Sequence, residues 1–166
     1  NDKFFVNIES SFLNSGNLNY ADLILPGKSK KEILISTYVC HPSMANNELS
    51  GPIVSMALIN YFRKKTKNYT LRFVFLPETI GSIAYLNKNY LYLKKYVIGG
   101  FNLSCIGDEK MYSCIFSKYK NTQVIQNFKN LFIPSSAITS QCGLVSFLLN
   151  SFIISSPVLQ CRYTKQ

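Results

Sequence analysis

Three long apolar runs constrain the fold more than any other feature of the chain. EILISTYVC (residues 32–40), TLRFVFLP (70–77) and YVIGGFNLSCIG (96–107) are rich in β-branched and aromatic residues. Runs with so little polar alternation are typical of strands that are buried on both faces of a sheet. Helical patterns over residues 49–65 and 79–89 separate them. The order strand, helix, strand, helix, strand predicts an α/β fold with a mixed central sheet flanked by helices.

Further elements are predicted outside this centre. KFFVNIES (3–10) and ADLILPG (21–27) have the composition of strands, and MYSCIF (111–116) is predicted to pair beside the strand at 96–107. NTQVIQNFKNLF (121–132) is amphipathic and predicts a last helix. The tail from about residue 134 follows no clear period.

The helix after residue 49 has a predicted orientation. Ile53, Met56, Ala57 and Tyr61 recur at helical spacing, which predicts that this face turns toward the core. Ser50 is a candidate N-terminal cap of the same helix.

The length and composition favour one folded domain over residues 1–166. The chain has 166 residues, 47% of them hydrophobic and 14% aromatic, which argues against a disordered protein. No apolar run approaches the roughly 20 residues needed to span a bilayer. The first residues, NDKFFVNIES, lack the basic and apolar regions of a signal peptide. We therefore expect a cytoplasmic protein without a membrane partner.

The charge and the cysteines also fit an ordinary cytoplasmic protein. The net charge is +10, but the lysines form small clusters at 28–31, 63–67 and 94–95, at turns and helix ends. This is the usual pattern of solvated charge, so a nucleic-acid partner is not expected. Five cysteines without a CxxC pair favour neither a disulfide framework nor a zinc knuckle, and they fit reduced thiols in the cytoplasm.

Polar residues with metal-binding chemistry follow the predicted strands. They are His41, which is the chain's only histidine, with Asn46, Asn47 and Glu48 in the same loop, then Glu78, and then Asp108 and Glu109. In open α/β sheets, ligands bind at the carboxyl ends of the strands. A neutral imidazole among carboxylates is a typical zinc site, and a further glutamate can deprotonate the metal-bound water.

Simpler interpretations of the same residues stay open. His41 could be a hydrogen-bonded loop residue, and Glu78 could be a first-turn helix glutamate that the helix dipole favours. A thiol enzyme that uses Cys40 beside His41 is disfavoured, because adjacent strand residues point to opposite faces.

Two stretches carry a family resemblance. ISTYVCHPSMANNELSGPIVSMALINYF (35–62) and LRFVFLPETIGSIAYL (71–86) resemble a bacterial branch of the zinc-dependent aminopeptidases of metallopeptidase clan MH. Members of this branch carry CHPS…LSG and PETIGS motifs and often lie near surface-polysaccharide genes. YADLILPGKSKKEILIS is similar to the family's lead-in, and FNLSCIGDEKMYS is similar to its third strand. The similarity covers about residues 3–122.

The resemblance implies a phosphorylase/hydrolase-like core, one or two zinc ions and a peptide or aminoacyl-amide substrate. It implies hydrolysis of an N-terminal amino acid or a related amide. His41 matches a zinc ligand, and Glu78 matches the general base or, in a one-metal variant, a ligand. Asn47 occupies the position of a metal-bridging aspartate, with Glu48 as its substitute. Asp108 lies where the family's turn contributes another carboxylate.

The chain also departs from the family pattern. Asn47 offers an amide oxygen, which is a weaker zinc ligand than a carboxylate. Thr79 and Ser104 stand where two-zinc relatives have acidic residues, and no second histidine exists. The tail over 134–166 is atypical and resembles a truncated end. The alternative is therefore a catalytically inactive fragment or pseudoenzyme, which keeps the fold without a full metal shell.

Overall fold

The computed structural model describes residues 3–107, 113–115 and 158–162. Within these ranges, six strands form one sheet in the spatial order β1-β3-β2-β4-β6-β5. The elements are β1 (Ala21–Leu25), β2 (Ser29–Tyr38), a π-helical turn (Ala45–Leu49), α1 (Ser50–Phe62), β3 (Tyr69–Leu76), α2 (Ile80–Tyr96), β4 (Val97–Leu103), β5 (Ser113–Ile115) and β6 (Val158–Arg162).

The predicted mixed sheet is confirmed. β2 pairs in parallel with both β3 and β4, and β4 pairs in parallel with β6. β1 is antiparallel to β3, and β5 is antiparallel to β6. Because the three central strands run the same way, their carboxyl ends meet at one edge of the sheet.

The two helices cover opposite faces of this sheet. On one face, Leu86 and Leu93 of α2 pack with Leu34 and Val74 of the sheet. On the other face, Phe73 lies in a second apolar cluster, to which α1 contributes Val54, Leu58, Ile59 and Phe62. Both faces of the central strands are therefore buried, as their apolar runs predict. Within the described residues, no helix is both long and apolar enough to cross a membrane.

The predicted inward face of α1 is wrong. Ile53, Met56 and Tyr61 are 54–56% exposed, and the adjacent face packs on the sheet instead. The helix is apolar on both sides, so periodicity alone did not distinguish them. Gly51 decides the orientation, because a Cβ at this position would lie 2.2 Å from Oγ1 of Thr37.

Ser50 does not cap α1. The N-cap position is occupied by Leu49, which makes no side-chain cap hydrogen bond. The Ser50 hydroxyl instead donates to the carbonyl of Asn46 and accepts a hydrogen bond from the backbone N–H of Ile106, at 2.9 Å. It therefore ties the start of α1 to the segment that follows β4.

Two strand predictions are corrected. Residues 3–10 form no strand, and their apolar side chains are exposed. Strand propensity needs a neighbouring strand to be realised, and this segment pairs with none of the described strands. The strand predicted within 111–116 does form, but it pairs with β6 and not with β4. The tail that supplies β6 gave no periodic signal. The helix predicted at 121–132 lies outside the described residues.

A buried guanidinium connects the first three strands to α2. Arg72 of β3 donates from Nε to Glu32 of β2 at 2.7 Å and from Nη1 to Asp22 of β1 at 2.6 Å. Tyr85 and Tyr92 of α2 donate to the same two carboxylates, at 2.7 and 2.6 Å. Burial disfavours the charge on Arg72, but the hydrogen bonds to Glu32 and the neighbouring groups outweigh it and raise its pKa.

Removal of this guanidinium should be severely destabilising. We expect Arg72→Met to lower the free energy of unfolding by about 3–5 kcal/mol, because Glu32 would remain buried without its cation. Urea unfolding followed by circular dichroism measures the change.

Arg63→Met is the matched control, since Arg63 is exposed. It should change the free energy of unfolding by less than about 0.5 kcal/mol. Equal effects of the two substitutions would contradict the role given to the buried network.

A second polar contact joins β2 to the segment after β4. The Tyr38 hydroxyl and Oγ of Ser104 lie 2.5 Å apart, and both residues are buried. Burial raises the pKa of Tyr38 to about 12, although the hydrogen bond to Ser104 acts in the opposite direction.

Tyr38 should therefore make the fold sensitive to alkali. Below pH 10 the phenol is protonated in both the folded and the unfolded chain. Between about pH 10 and 12 the unfolded chain loses the proton first, so stability should fall as the pH rises, by on the order of 2–3 kcal/mol from this group. Urea unfolding at several alkaline pH values measures the slope.

Tyr38→Phe should flatten this pH dependence. Tyr69→Phe, at an exposed tyrosine of β3, is the control and should keep the wild-type slope. An unchanged slope in Tyr38→Phe would show that Tyr38 is not the responsible group.

Candidate metal centre

The predicted meeting of polar residues at the strand ends is observed for His41 and Glu78. His41 follows β2 and Glu78 follows β3, and these strands are parallel neighbours. His41 Nε2 lies 3.1 Å from Oε2 of Glu78. The two side chains are 47% and 30% exposed, so both groups are accessible from solvent.

Glu48 reaches the same edge from the π-helical turn. Such turns are rare and occur frequently at functional sites. Glu48 is only 5% exposed, and its Oε2 accepts a hydrogen bond from the backbone N–H of Cys40 at 2.5 Å. Its other oxygen lies 3.8 Å from the Cys40 sulfur. One ligand atom from each of Cys40, His41 and Glu48 lies within 4.8 Å of the other two.

Asn47 points away from this cluster. Its side-chain nitrogen donates to the sulfur of Cys105, at 3.5 Å. Its side-chain oxygen is buried and has no hydrogen-bond partner in the part of the chain that the structure describes. The adjacent Asn46 instead accepts a hydrogen bond from the backbone of Gly107 at 2.8 Å, which fixes the loop beyond β4. The amide at position 47 therefore contacts the loop after β4, and the carboxylate at position 48 contacts the loop after β2.

Two strained residues border the site. Thr79 and Cys105 have φ values of 56° and 52°, and each lies close behind the carboxyl end of a central strand. Left-handed backbone at residues other than glycine costs on the order of 1–3 kcal/mol and clusters at functional sites. Thr79 directly follows Glu78, so the strain lies at the turn that leads from this carboxylate into α2.

The thiol-enzyme alternative finds no support, although not for the reason expected from strand alternation. β2 ends at Tyr38, so Cys40 and His41 lie in a loop where strand alternation does not separate them. Partial burial raises the pKa of the Cys40 thiol, and the charges of Glu48 and Glu78 add to this effect. A raised pKa opposes the thiolate that a cysteine nucleophile needs.

Two of the predicted acidic residues, Asp108 and Glu109, lie outside the described residues. Cys40 is the one member of the cluster that the sequence analysis did not single out as a ligand, and its position directly before His41 was the available signal.

An apolar cleft between the sheet and α2 opens beside Glu78 and is lined in part by Tyr38, Leu76, Thr79 and Leu86.

Known proteins are similar to this chain in sequence and in fold. A protein of Clostridium acetobutylicum, described as an inferred polysaccharide biosynthesis protein with an aminopeptidase-like domain, is 40% identical over 128 residues. This alignment covers 74% of the present chain and 28% of the relative. The crystal structure of an inferred peptidase from Clostridium acetobutylicum has a TM-score of 0.78 at 28% identity, over 87% of this chain and 35% of that one.

A more distant structure shares the fold alone. The LapA aminopeptidase of Legionella pneumophila has a TM-score of 0.56 at 11% identity, over 88% of this chain and 48% of that one. The chain thus spans between about a quarter and a half of the length of these proteins. The resemblance to aminopeptidases is supported at the level of a peptidase fold and an aminopeptidase-like domain.

A family profile matches residues 7–147, which is most of the chain and includes the whole of the candidate centre. The chain therefore belongs to the family described as Domain of unknown function (DUF4910).

Proposed function

We propose that this chain carries the metal site of an aminopeptidase-like hydrolase, which removes an N-terminal amino acid or cleaves a related amide. The observation that carries the proposal is the 3.1 Å contact between His41 and Glu78 at the carboxyl edge of the sheet. It supports the pairing of a metal ligand with a general base that the motifs predict. The aminopeptidase-like domain of the Clostridium relative supports the same reaction class.

The donor atoms fit zinc. An imidazole and carboxylates are ordinary zinc ligands, and a catalytic site uses three protein ligands plus water. The buried Glu48 has no cation partner among the described side chains, so a divalent cation would supply the missing charge. When bound, zinc would polarise the scissile carbonyl and lower the pKa of a water molecule.

Glu78 is the proposed proton carrier. Its carboxylate accepts the proton of the attacking water and delivers it to the departing amine. Its partial exposure lets it reach both groups, and its carboxylate lies 3.1 Å from the imidazole of His41, beside the proposed ligands. Because Asn47 turns away from the cluster, the described residues supply the ligands of one ion.

Zinc content and hydrolysis should separate the two roles. In Glu78→Gln we expect retained zinc and hydrolysis of leucine p-nitroanilide that is slower by about 10²–10⁴-fold, because the base is lost while the ligands remain. In His41→Ala we expect the loss of both zinc and hydrolysis. Elemental analysis and a colorimetric assay on the full chain measure the two quantities.

Glu9→Gln is the matched control, because Glu9 is an exposed carboxylate of the N-terminal segment. It should keep both zinc and activity. Full activity in Glu78→Gln would refute the role of Glu78. Stoichiometric zinc without hydrolysis of any aminoacyl amide would instead favour the inactive alternative.

A further inference from the structure

We propose that the sulfur of Cys40 is a metal ligand, and that Cys40, His41 and Glu48 form one S, N, O centre. The proposal rests on the proposed function only in that an ion binds at this edge of the sheet. Thiolate and imidazole ligands select zinc and similar soft or borderline ions over magnesium or calcium. The site would therefore be a zinc-type centre with three protein ligands and Glu78 left free to act as the base.

The distances agree with such a centre. Zinc lies about 2.3 Å from sulfur and about 2.0–2.1 Å from nitrogen or oxygen, so tetrahedral ligand atoms are roughly 3.3–3.6 Å apart. The Cys40 sulfur already lies 3.8 Å from Oε1 of Glu48. The whole set lies within 4.8 Å, and Cys40 and His41 are exposed, so rotation of their side chains can close the remaining distance of about 1 Å.

The burial of Glu48 is the second observation. A buried carboxylate is costly unless a cation or several hydrogen bonds compensate it. Glu32, which is 2% exposed, shows how this chain meets that requirement, with Arg72 and Tyr92 as partners. Glu48 is 5% exposed, and the hydrogen bonds of its carboxylate within the described residues are those with the backbone and sulfur of Cys40. A divalent ion at this position would provide the charge that Arg72 provides for Glu32.

The structure also accounts for the departure at position 47. The π-helical turn aims Glu48 at Cys40, while the Asn47 amide contacts Cys105. The carboxylate and the thiol together therefore replace the acidic ligand that the family pattern places at 47. On binding, the S–H bond of Cys40 breaks, the proton passes to solvent, and the sulfur–metal bond forms.

Cobalt(II) titration of the metal-free full chain tests the proposal. We expect a near-ultraviolet thiolate-to-cobalt charge-transfer band in the wild type. The band should be lost in Cys40→Ser, while the visible d–d bands remain and the cobalt affinity falls by at least about tenfold, since even outer-shell changes cost 10–100-fold. Cys105→Ser is the matched control, because Cys105 contacts Asn47 and lies outside the cluster. It should keep the band.

X-ray absorption of the zinc-loaded wild type gives a result that does not depend on the folding of a variant. A sulfur scatterer at about 2.3 Å supports the proposal, and a shell of nitrogen and oxygen alone overturns it. A charge-transfer band that persists in Cys40→Ser also overturns it.

Hydrolysis of leucine p-nitroanilide, measured on the same samples, distinguishes this proposal from the proposed function. A sulfur ligand without hydrolysis would support the centre and refute the activity. Hydrolysis with a sulfur-free metal shell would refute the role of Cys40 and leave the activity standing. Absence of any bound metal would overturn both.

Discussion

The buried guanidinium of Arg72 is the interaction on which the rest of the fold depends. A full positive charge lies on the strand next to the edge strand β1, and two strands and a helix each contribute a hydrogen-bond acceptor to it. Apolar packing alone would allow β1 and α2 several positions on so uniformly hydrophobic a sheet. The fixed geometry of a guanidinium that donates to two carboxylates admits far fewer. The pairing of β2 with β3, whose carboxyl ends lead to His41 and Glu78, is therefore stabilised by a polar contact made nearer their amino ends.

The two regions of the sheet treat buried acids in different ways. Beside Arg72, the buried Glu32 has a cation and a phenol from the chain itself as partners. At the carboxyl edge, Glu48 is also buried but contacts a thiol and a backbone N–H. The strained backbone at Thr79 and Cys105 lies at this second edge. The buried charge network and the strained backbone therefore lie in different parts of the sheet, and strained residues often cluster at functional sites.

The sequence predicted the sheet well where burial on both faces left a long apolar run, as in β2, β3 and β4. It also predicted that His41 and Glu78 meet, because parallel strands bring their carboxyl ends to one edge. The sequence did not predict those features that depend on contacts with residues far away in the chain. The inward face of α1 is set by the close approach of Gly51 to Thr37, and the N-terminal run has no described strand beside it. The aim of Glu48 depends on a π-helical turn, and no residue pattern in ANNEL distinguishes that turn from an α-helical one.

The π-helical turn determines which residue of the loop has its side chain buried against Cys40. A helical backbone rotates about 100° per residue, so the insertion or deletion of one residue within 45–49 would turn the Glu48 carboxylate away from the backbone N–H of Cys40. A neighbouring side chain would face Cys40 instead, and neither Asn47 nor Leu49 carries a carboxylate. The number of residues in this turn, and not only their identity, therefore sets the charge that is buried against Cys40.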